Sequence, residues 1–234
     1  MEHEYSFLYI LLQPVLNLLP AELAFLKSDH IVMVTFITLV LLVLLPLLAG
    51  RLRQDNRGGL QQTLEVGFEA IRGMVRERVH HNADKHVPLI AAFAITVLFF
   101  NVSGAIPLLT SPTPNLNTTV ALALVSFLYY NWQGLRHHGA WGYAKTFMGP
   151  MAAIAPIMFV SELISHLARI LSLSLRLAAS MSADHVVVGA FTLLFPFVVP
   201  APMVGLGLLM AGLQTFIFVL LSTVYIGGAV SEEH

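Results

Sequence analysis

The sequence predicts an all-α membrane protein with five transmembrane helices and an amphipathic interfacial helix, the last two transmembrane helices being long and tilted. Only 11% of the 234 residues are charged, 57% are hydrophobic and the mean hydropathy is +0.79. Soluble domains carry about 25% charged residues, so water is not the main solvent of this chain. The chain also contains long runs without a charged residue, and most of its Lys and Arg residues lie in one loop.

The composition also excludes several functions. The formal net charge is −1, which leaves no basic stripe for nucleic acid. The sequence contains no cysteine, so disulfide frameworks and thiolate metal sites are excluded. No phosphate-binding glycine motif is present, so we predict that the chain binds neither nucleotide nor another cofactor and is not an enzyme by itself.

The N-terminal part is predicted to comprise an outer segment, 1–30, and a first transmembrane helix, 31–50. The outer segment has two Glu and no positive charge near its start, unlike a signal peptide. Its stretch 5–19 is apolar but too short to span, which favours a helix lying on the outer membrane surface. The run 31–50 has the roughly 20 apolar residues that a span requires.

A cytoplasmic loop is predicted at 51–86, followed by a transmembrane hairpin at 87–132 with spans 87–109 and 116–132. A cluster of Ser, Pro and Asn residues separates these two spans. Within the loop, apolar residues recur at helical spacing and predict an amphipathic helix on the inner membrane face. These residues are Leu60, Leu64, Phe68, Ile71 and Val75.

The last part is predicted as a second cytoplasmic loop, 133–147, a long helical hairpin, 148–229, and a tail, 230–234. The sequence FPFVVPAP at 195–202 contains three prolines and predicts the turn of that hairpin. Both arms exceed the length of a perpendicular span, so we expect them to be tilted.

The distribution of Lys and Arg predicts the orientation. Loop 51–86 holds seven of these residues and loop 133–147 holds two, whereas residues 1–30 hold only Lys27. Because positive loops remain on the cytoplasmic side, we predict an outer N-terminus and a cytoplasmic C-terminus.

The most informative pattern is a stripe of polar residues on the fourth span. Six residues fall within about 40° of one line on an ideal helix, whereas His185 lies well off that line. The six are Glu162, His166, Arg169, Arg176, Ser180 and Asp184. Each charged side chain costs roughly 2.5–3.5 kcal/mol at the centre of a membrane helix, so the stripe must face water or another protein.

The chemistry of the stripe suggests ion translocation. Glu, Asp and His can exchange protons, whereas an arginine remains a fixed cation. A fixed cation between titratable groups interrupts a continuous proton wire and attracts a carboxylate of a partner. A lone polar group would instead be explained by an interhelical hydrogen bond, and Arg169 could simply pair with Glu162.

From LSLSLRLAAS (171–180) onward the sequence resembles subunit a of F-type rotary ATP synthases. The Glu fourteen residues before Arg176, the segment 98–119 and the ending LQTFIFVLLSTVYIGGAVSEEH share this resemblance. It covers roughly residues 90–234, whereas the first 85 residues match in layout only.

The resemblance implies roles for individual residues. Arg176 stands where the family has its essential arginine, facing the proton-carrying carboxylate of the c-subunit ring. Glu162 and Gln214 stand at polar positions near the family's half-channels, and Tyr225 stands at its late aromatic position. The other implied members of the proton path are His166, Arg169, Ser180, Asp184 and His185.

The sequence departs from the family pattern at several positions. Ser180 replaces the usual Asn, and the partner position on the last helix, normally His or Glu, falls at Gly207 by gapped counting. Gly104 replaces an acidic residue shortly after Asn101. Asp184 could supply the missing acid.

The resemblance further implies the partners and the location of the chain. The implied partners are the c ring, the b subunits of the peripheral stalk, the F1 catalytic sector, the lipid bilayer and a translocated H⁺. The implied location is a bacterial inner membrane. The alternative class is a proton-coupled secondary transporter, which would show repeated halves with broken helices, whereas only one polar stripe occurs. A His-rich metal site at HHNADKH (80–86) is a weaker alternative to a solvated loop.

Overall fold

The computed structural model describes residues 6–16, 28–50, 58–79, 82–106, 109–148, 155–194 and 200–230. These residues form seven α-helices and two short 3₁₀ turns, with no β-strand among them. The helices are α1 (Phe7–Leu16), α2 (Asp29–Ala49), α3 (Gly59–Arg78), α4 (Val87–Val102), α5 (Leu116–Met148), α6 (Ala155–Leu194) and α7 (Pro200–Val230). The predicted all-α class is therefore confirmed.

Four segments are long and apolar enough to cross a bilayer. They are Asp29–Ala49, Val87–Ala105, Ala155–Phe191 and Pro202–Val230 within the described residues. Helix α5 is not among them, so the predicted span 116–132, and with it the count of five spans, remains a prediction. Helix α6 has 40 residues, which corresponds to about 60 Å. It is far longer than a hydrocarbon core of about 30 Å.

Helix α5 differs from the sequence prediction. Residues 133–147, which we predicted as a loop, are helical and continue α5 beyond a break at Gly139. Gly139 has φ 72° and ψ 167°, a conformation that only glycine adopts without strain. Sequence analysis missed this helix because its residues are of mixed polarity, as is common in loops. The predicted turn at 195–202 lies largely outside the described residues, as do the tail 231–234 and His80 and His81 of the His-rich segment.

One hydrophobic core joins α3, α4, α5, α6 and α7. Its fully buried members include Ile90 on α4, Tyr130 on α5, Leu177 on α6 and Phe218 on α7. Phe93 of α4 packs edge-to-face on Phe218, with 5.7 Å between ring centroids. Helix α2 packs through a separate, smaller cluster against α4. The four helices α4 to α7 therefore form the body that positions the polar stripe.

Helix α3 is amphipathic, as predicted, but its apolar face is divided between two environments. Val75 is fully buried in the core and Ile71 packs against it. Leu64 and Phe68 are exposed to about half of their area, and the side chain of Leu60 lies outside the described part. The C-terminal half of α3 thus packs on protein, whereas its N-terminal half leaves apolar side chains free for lipid.

Two arginines of α3 also hold the turn that precedes α4. Arg76 donates two hydrogen bonds to the Asp84 carboxylate, at 3.1 and 2.9 Å, and Arg72 donates a third at 3.1 Å. Hydrogen bonds first from Arg76 and then from Arg72 lower the pKa of Asp84 to about 2. The carboxylate is therefore charged at any physiological pH, and a metal ion is not needed to explain Asp84.

The end of α3 touches the backbone of α7. A Cβ added at Gly227 would lie 2.5 Å from the carbonyl oxygen of Arg78, whereas one added at Gly228 meets nothing within 4 Å. Gly227 therefore permits a close approach of two main chains, which a larger residue would prevent.

We expect Gly227→Ala to loosen the α3–α7 contact by about 1–3 kcal/mol, the usual cost of overpacking. Limited proteolysis of the membrane-embedded protein at rising temperature should cleave this variant several degrees earlier than the parent. Gly228→Ala is the matched control and should behave like the parent. Equal resistance of all three proteins would contradict the close contact.

Candidate functional site

Helix α6 carries the polar stripe along the edge of its buried face. Leu173, Leu177 and Met181 of α6 are buried in the core. Arg176 and Ser180 directly precede Leu177 and Met181, so they lie about 100° round the helix from them, at the border between the core and the exposed face. Arg169 and Glu162 are about one-third exposed on their side chains, while Arg176 is exposed. The stripe thus runs along a border from which side chains can reach both the protein and an outside partner.

The first group of polar residues, the Glu162 cluster, comprises Glu162, His166, Arg169, Tyr130 and Tyr225. His166 Nε2 and Arg169 Nη2 each lie 3.4 Å from Glu162 Oε1. The Nδ1 atom of His166 lies 2.8 Å from the Tyr130 hydroxyl. The Arg169 guanidinium lies over the Tyr225 ring, 5.6 Å from its centroid, a cation–π geometry. Helices α5, α6 and α7 all contribute to this cluster.

Arg176 lies fourteen residues further along α6, about 21 Å from Glu162 at 1.5 Å per residue. Within the described part of the chain its guanidinium forms neither a hydrogen bond nor an ion pair. Ser180 donates to the carbonyl oxygen of Arg176 at 2.7 Å, so its hydroxyl serves the backbone of its own helix. Arg176 is therefore a cation whose partner must come from outside the described residues.

Asp184 and His185, the other titratable residues of α6, contact two different elements. Asp184 Oδ2 would lie 2.9 Å from a Cβ added at Gly207 of α7. His185 Cε1 would lie 3.0 Å from a Cβ added at Gly104, in the 3₁₀ turn after α4. Each side chain thus occupies the space that a side chain on the facing glycine would fill. We refer to Asp184 and His185, each with the glycine that it faces, as the Asp184 group.

The contacts between α6 and α7 set their relative direction. Residue 184 faces residue 207 and residue 169 faces residue 225, so the two helices are antiparallel. Interpolation between these contacts places Arg176 level with residues 216–217 of α7, two to three residues beyond Gln214. The Glu162 cluster and the Asp184 group therefore lie on opposite sides of the level of Arg176.

A buried polar patch lies between α4 and α7, and Gln214 of α7 is buried one residue before Thr215, a member of that patch. Asn101 Nδ2 lies 3.4 Å from the Ala211 carbonyl oxygen and 3.5 Å from the Thr215 hydroxyl. Gln214 Nε2 and Asn101 Oδ1 are buried, and neither has a hydrogen-bond partner in the described part of the chain. Because unpaired buried polar groups are costly, this patch has free capacity for water.

The structure brings four of the nine predicted residues into one cluster, and it adds Tyr130. Glu162, His166, Arg169 and Tyr225 form one cluster, whereas Asp184 and His185 diverge. Sequence analysis missed Tyr130, because nothing in the run LYYNW distinguishes the tyrosine that faces α6 from its neighbour. Only the packing of α5 against α6 identifies it.

The fold and these side chains define a class: a multi-pass helical membrane protein with ionisable groups along one long transmembrane helix. The model of the family described as ATP synthase A chain matches residues 31–227. The chain therefore belongs to the ATP synthase A chain family.

Curated relatives agree with the family match. The chain is 41% identical over 207 residues to ATP synthase subunit a of Trichlorobacter lovleyi, covering 88% of this chain and 90% of the relative. It is 40% identical to ATP synthase subunit a 3 of Pelobacter propionicus over the full length of both. The subunit a of Campylobacter concisus is 40% identical over 93% of this chain and 96% of its own length.

Because the chain contains no cysteine, pairwise cysteine substitution tests the divergence of Asp184 and His185. We expect mild oxidation to cross-link Asp184→Cys with Gly207→Cys, because Asp184 Cγ, near which the cysteine sulfur would lie, is 3.7 Å from a Cβ added at Gly207. The exchanged pair His185→Cys with Gly207→Cys is the control and should remain uncross-linked, because a disulfide requires Cβ atoms within about 4.5 Å. Cross-linking of the exchanged pair alone would contradict the geometry.

Proposed function

We propose that the chain is the proton-translocating stator subunit of the Fo sector of an F-type ATP synthase. In this role it provides two half-channels and the essential arginine that faces the c ring. Family membership supports the general function. The observation that carries the specific role is Arg176, an exposed cation with no partner in the described part of the chain and with titratable groups on both sides of it.

The charge of Arg176 explains how the two half-channels stay separate. Arginine does not deprotonate in proteins, so a proton cannot pass through it. A cation within a bilayer also needs a compensating anion. The carboxylate of a c subunit, once it has released its proton, would supply that anion. The carboxylate must take up a new proton before it moves back into lipid, so leakage past Arg176 is prevented.

The Asp184 group and the Glu162 cluster would line the two half-channels. Asp184, His185 and the polar patch at Asn101 and Gln214 offer proton acceptors and room for water on one side of Arg176. The Glu162 cluster offers a carboxylate on the other. With the C-terminus in the cytoplasm, as the Lys/Arg distribution predicts, the Asp184 group lies toward the outer surface and Glu162 toward the cytoplasm.

The same arrangement assigns the remaining surfaces. The first part of α5 would form the third span along the chain and bring the number of spans to five. Five spans would place the N-terminus outside and the C-terminus in the cytoplasm. The exposed face of α7 carries Gly205 and Gly212, and a Cβ at either would meet nothing within 4 Å. Small residues on a membrane helix permit close approach of another helix, which suits a rotating c ring. The b subunits and the F1 sector would complete the complex in a bacterial inner membrane.

The role of Arg176 is tested by substitution in the assembled complex. We expect Arg176→Ala to abolish ATP synthesis driven by a proton gradient, because the c-ring carboxylate then loses its counterion and the barrier to leakage. Arg176→Lys should restore synthesis only in part, since a lysine can lose its proton. Arg136→Ala, at an exposed site on α5, is the control and should synthesise ATP normally. Normal synthesis by Arg176→Ala membranes would refute the proposal.

The Asp184 group is tested by separate and combined substitutions. We expect Asp184→Asn and His185→Ala each to slow ATP-driven proton pumping, and the double substitution to slow it far more. The reason is that the two side chains contact different elements, so one can still act when the other is lost. Pumping should be followed between pH 6 and 9 by quenching of a pH-sensitive dye. Normal pumping by Asp184→Asn together with no pumping by His185→Ala would leave His185 as the sole relay.

A further inference from the structure

Helix α5 carries two consecutive tyrosines, and each contacts a histidine. The Tyr129 hydroxyl lies 2.9 Å from His86 Nδ1, and the Tyr130 hydroxyl lies 2.8 Å from His166 Nδ1. Adjacent residues on an α-helix point about 100° apart, so Tyr129 faces the start of α4 whereas Tyr130 faces α6. The two pairs are chemically alike, but only the Tyr130 pair belongs to the Glu162 cluster.

The Tyr130–His166 pair is buried. Tyr130 is 1% exposed and His166 is 7% exposed. The Tyr130 hydroxyl lies 2.8 Å from His166 Nδ1, and the other ring nitrogen, Nε2, lies 3.4 Å from Glu162 Oε1. Because an ionised carboxylate can only accept a hydrogen bond, Nε2 is the nitrogen that donates, and Nδ1 accepts from the Tyr130 hydroxyl.

This donor direction determines the tautomer of His166. A neutral imidazole that accepts at Nδ1 carries its proton on Nε2. The Nε2 atom lies 3.4 Å from Glu162 Oε1, the same oxygen that Arg169 approaches. The Nε2–H group therefore points at the Glu162 carboxylate. A donor aimed at a carboxylate favours its charged form.

We propose that Tyr130 is a positioning residue of the cytoplasmic half-channel, which holds His166 in the Nε2–H tautomer so that Glu162 releases its proton readily. This inference rests on the proposed function, because it assigns Glu162 to the proton path. Tyr130 exchanges no proton with the path; it acts through His166.

Other charged and titratable groups lie around this pair. On α6 these are Glu162 and Arg169, on α7 Tyr225 lies against Tyr130 and Arg169, and on α5 Tyr143 donates to Asn131 Oδ1. Without the Tyr130 hydroxyl, Nδ1 loses the donor at 2.8 Å, so the tautomer with its proton on Nδ1 becomes more populated. The unprotonated Nε2 atom would then accept a hydrogen bond from the Glu162 carboxyl group, and this bond favours the protonated form of Glu162.

The test is the pH dependence of ATP-driven proton pumping by the complete complex in membrane vesicles. We expect Tyr130→Phe to move the pH at half-maximal pumping upward by about one unit, the effect of losing roughly one hydrogen bond to a charged group. Tyr129→Phe removes the same atom from the His86 pair and should leave this pH unchanged. The amount of assembled complex is measured for each variant.

Three further outcomes decide the inference. In the background of His166→Asn, adding Tyr130→Phe should cause no additional shift, because the ring it positions is absent. A uniform loss of pumping at every pH, in proportion to lost assembly, would mean that Tyr130 is merely structural and would overturn the inference. A Tyr130→Phe profile identical to that of Tyr129→Phe would overturn it as well.

Glu162→Gln separates this inference from the proposed function. If Glu162→Gln slows pumping while Tyr130→Phe leaves the pH dependence unchanged, the positioning role fails and the half-channel assignment stands. If Glu162→Gln pumps like the parent, Glu162 is not on the path and both fail together.

Discussion

The cost of placing charge in a bilayer governs this structure. Glu162, His166 and Arg169 satisfy one another within the chain, with distances of 3.4 Å to a shared carboxylate oxygen. Arg176 has no such partner among the described residues, although it shares the same edge of the helix. An unpartnered cation on a membrane helix is unfavourable. In the proposed function a carboxylate of the c ring supplies the anion, and the surface that carries Arg176 is where the ring would dock.

Glycines on two neighbouring elements make room for the titratable side chains of α6. Asp184 covers Gly207 of α7, and His185 covers Gly104 after α4. The family resemblance led us to expect a titratable residue at each of these glycine positions. In the structure the carboxylate of Asp184 and the imidazole of His185 occupy the space beside the two glycines, so α6 carries the titratable groups and the facing elements leave room for them.

The sequence predicted the all-helical class and the polar stripe, because both depend on composition and on the 3.6-residue period alone. It did not predict the continuation of α5 through 133–147, where helical residues of mixed polarity resemble a loop. It also could not choose between Tyr129 and Tyr130, or foresee that Asp184 and His185 diverge. These features depend on which helices are neighbours and on their rotation, and a single sequence does not specify either.

The amphipathic helix α3 connects the end of α7 to the turn before α4. Its C-terminal end meets α7 at Gly227, two residues after Tyr225, whose ring lies beneath Arg169. Its arginines hold Asp84, and Asp84 directly precedes α4. One end of α4 and the end of α7 therefore contact a single element, and the Tyr225 ring connects that end of α7 to the Glu162 cluster. In the proposed function these contacts would keep Glu162 beside His166 and Arg169, because a shift of about 1 Å would separate the carboxylate from its donors.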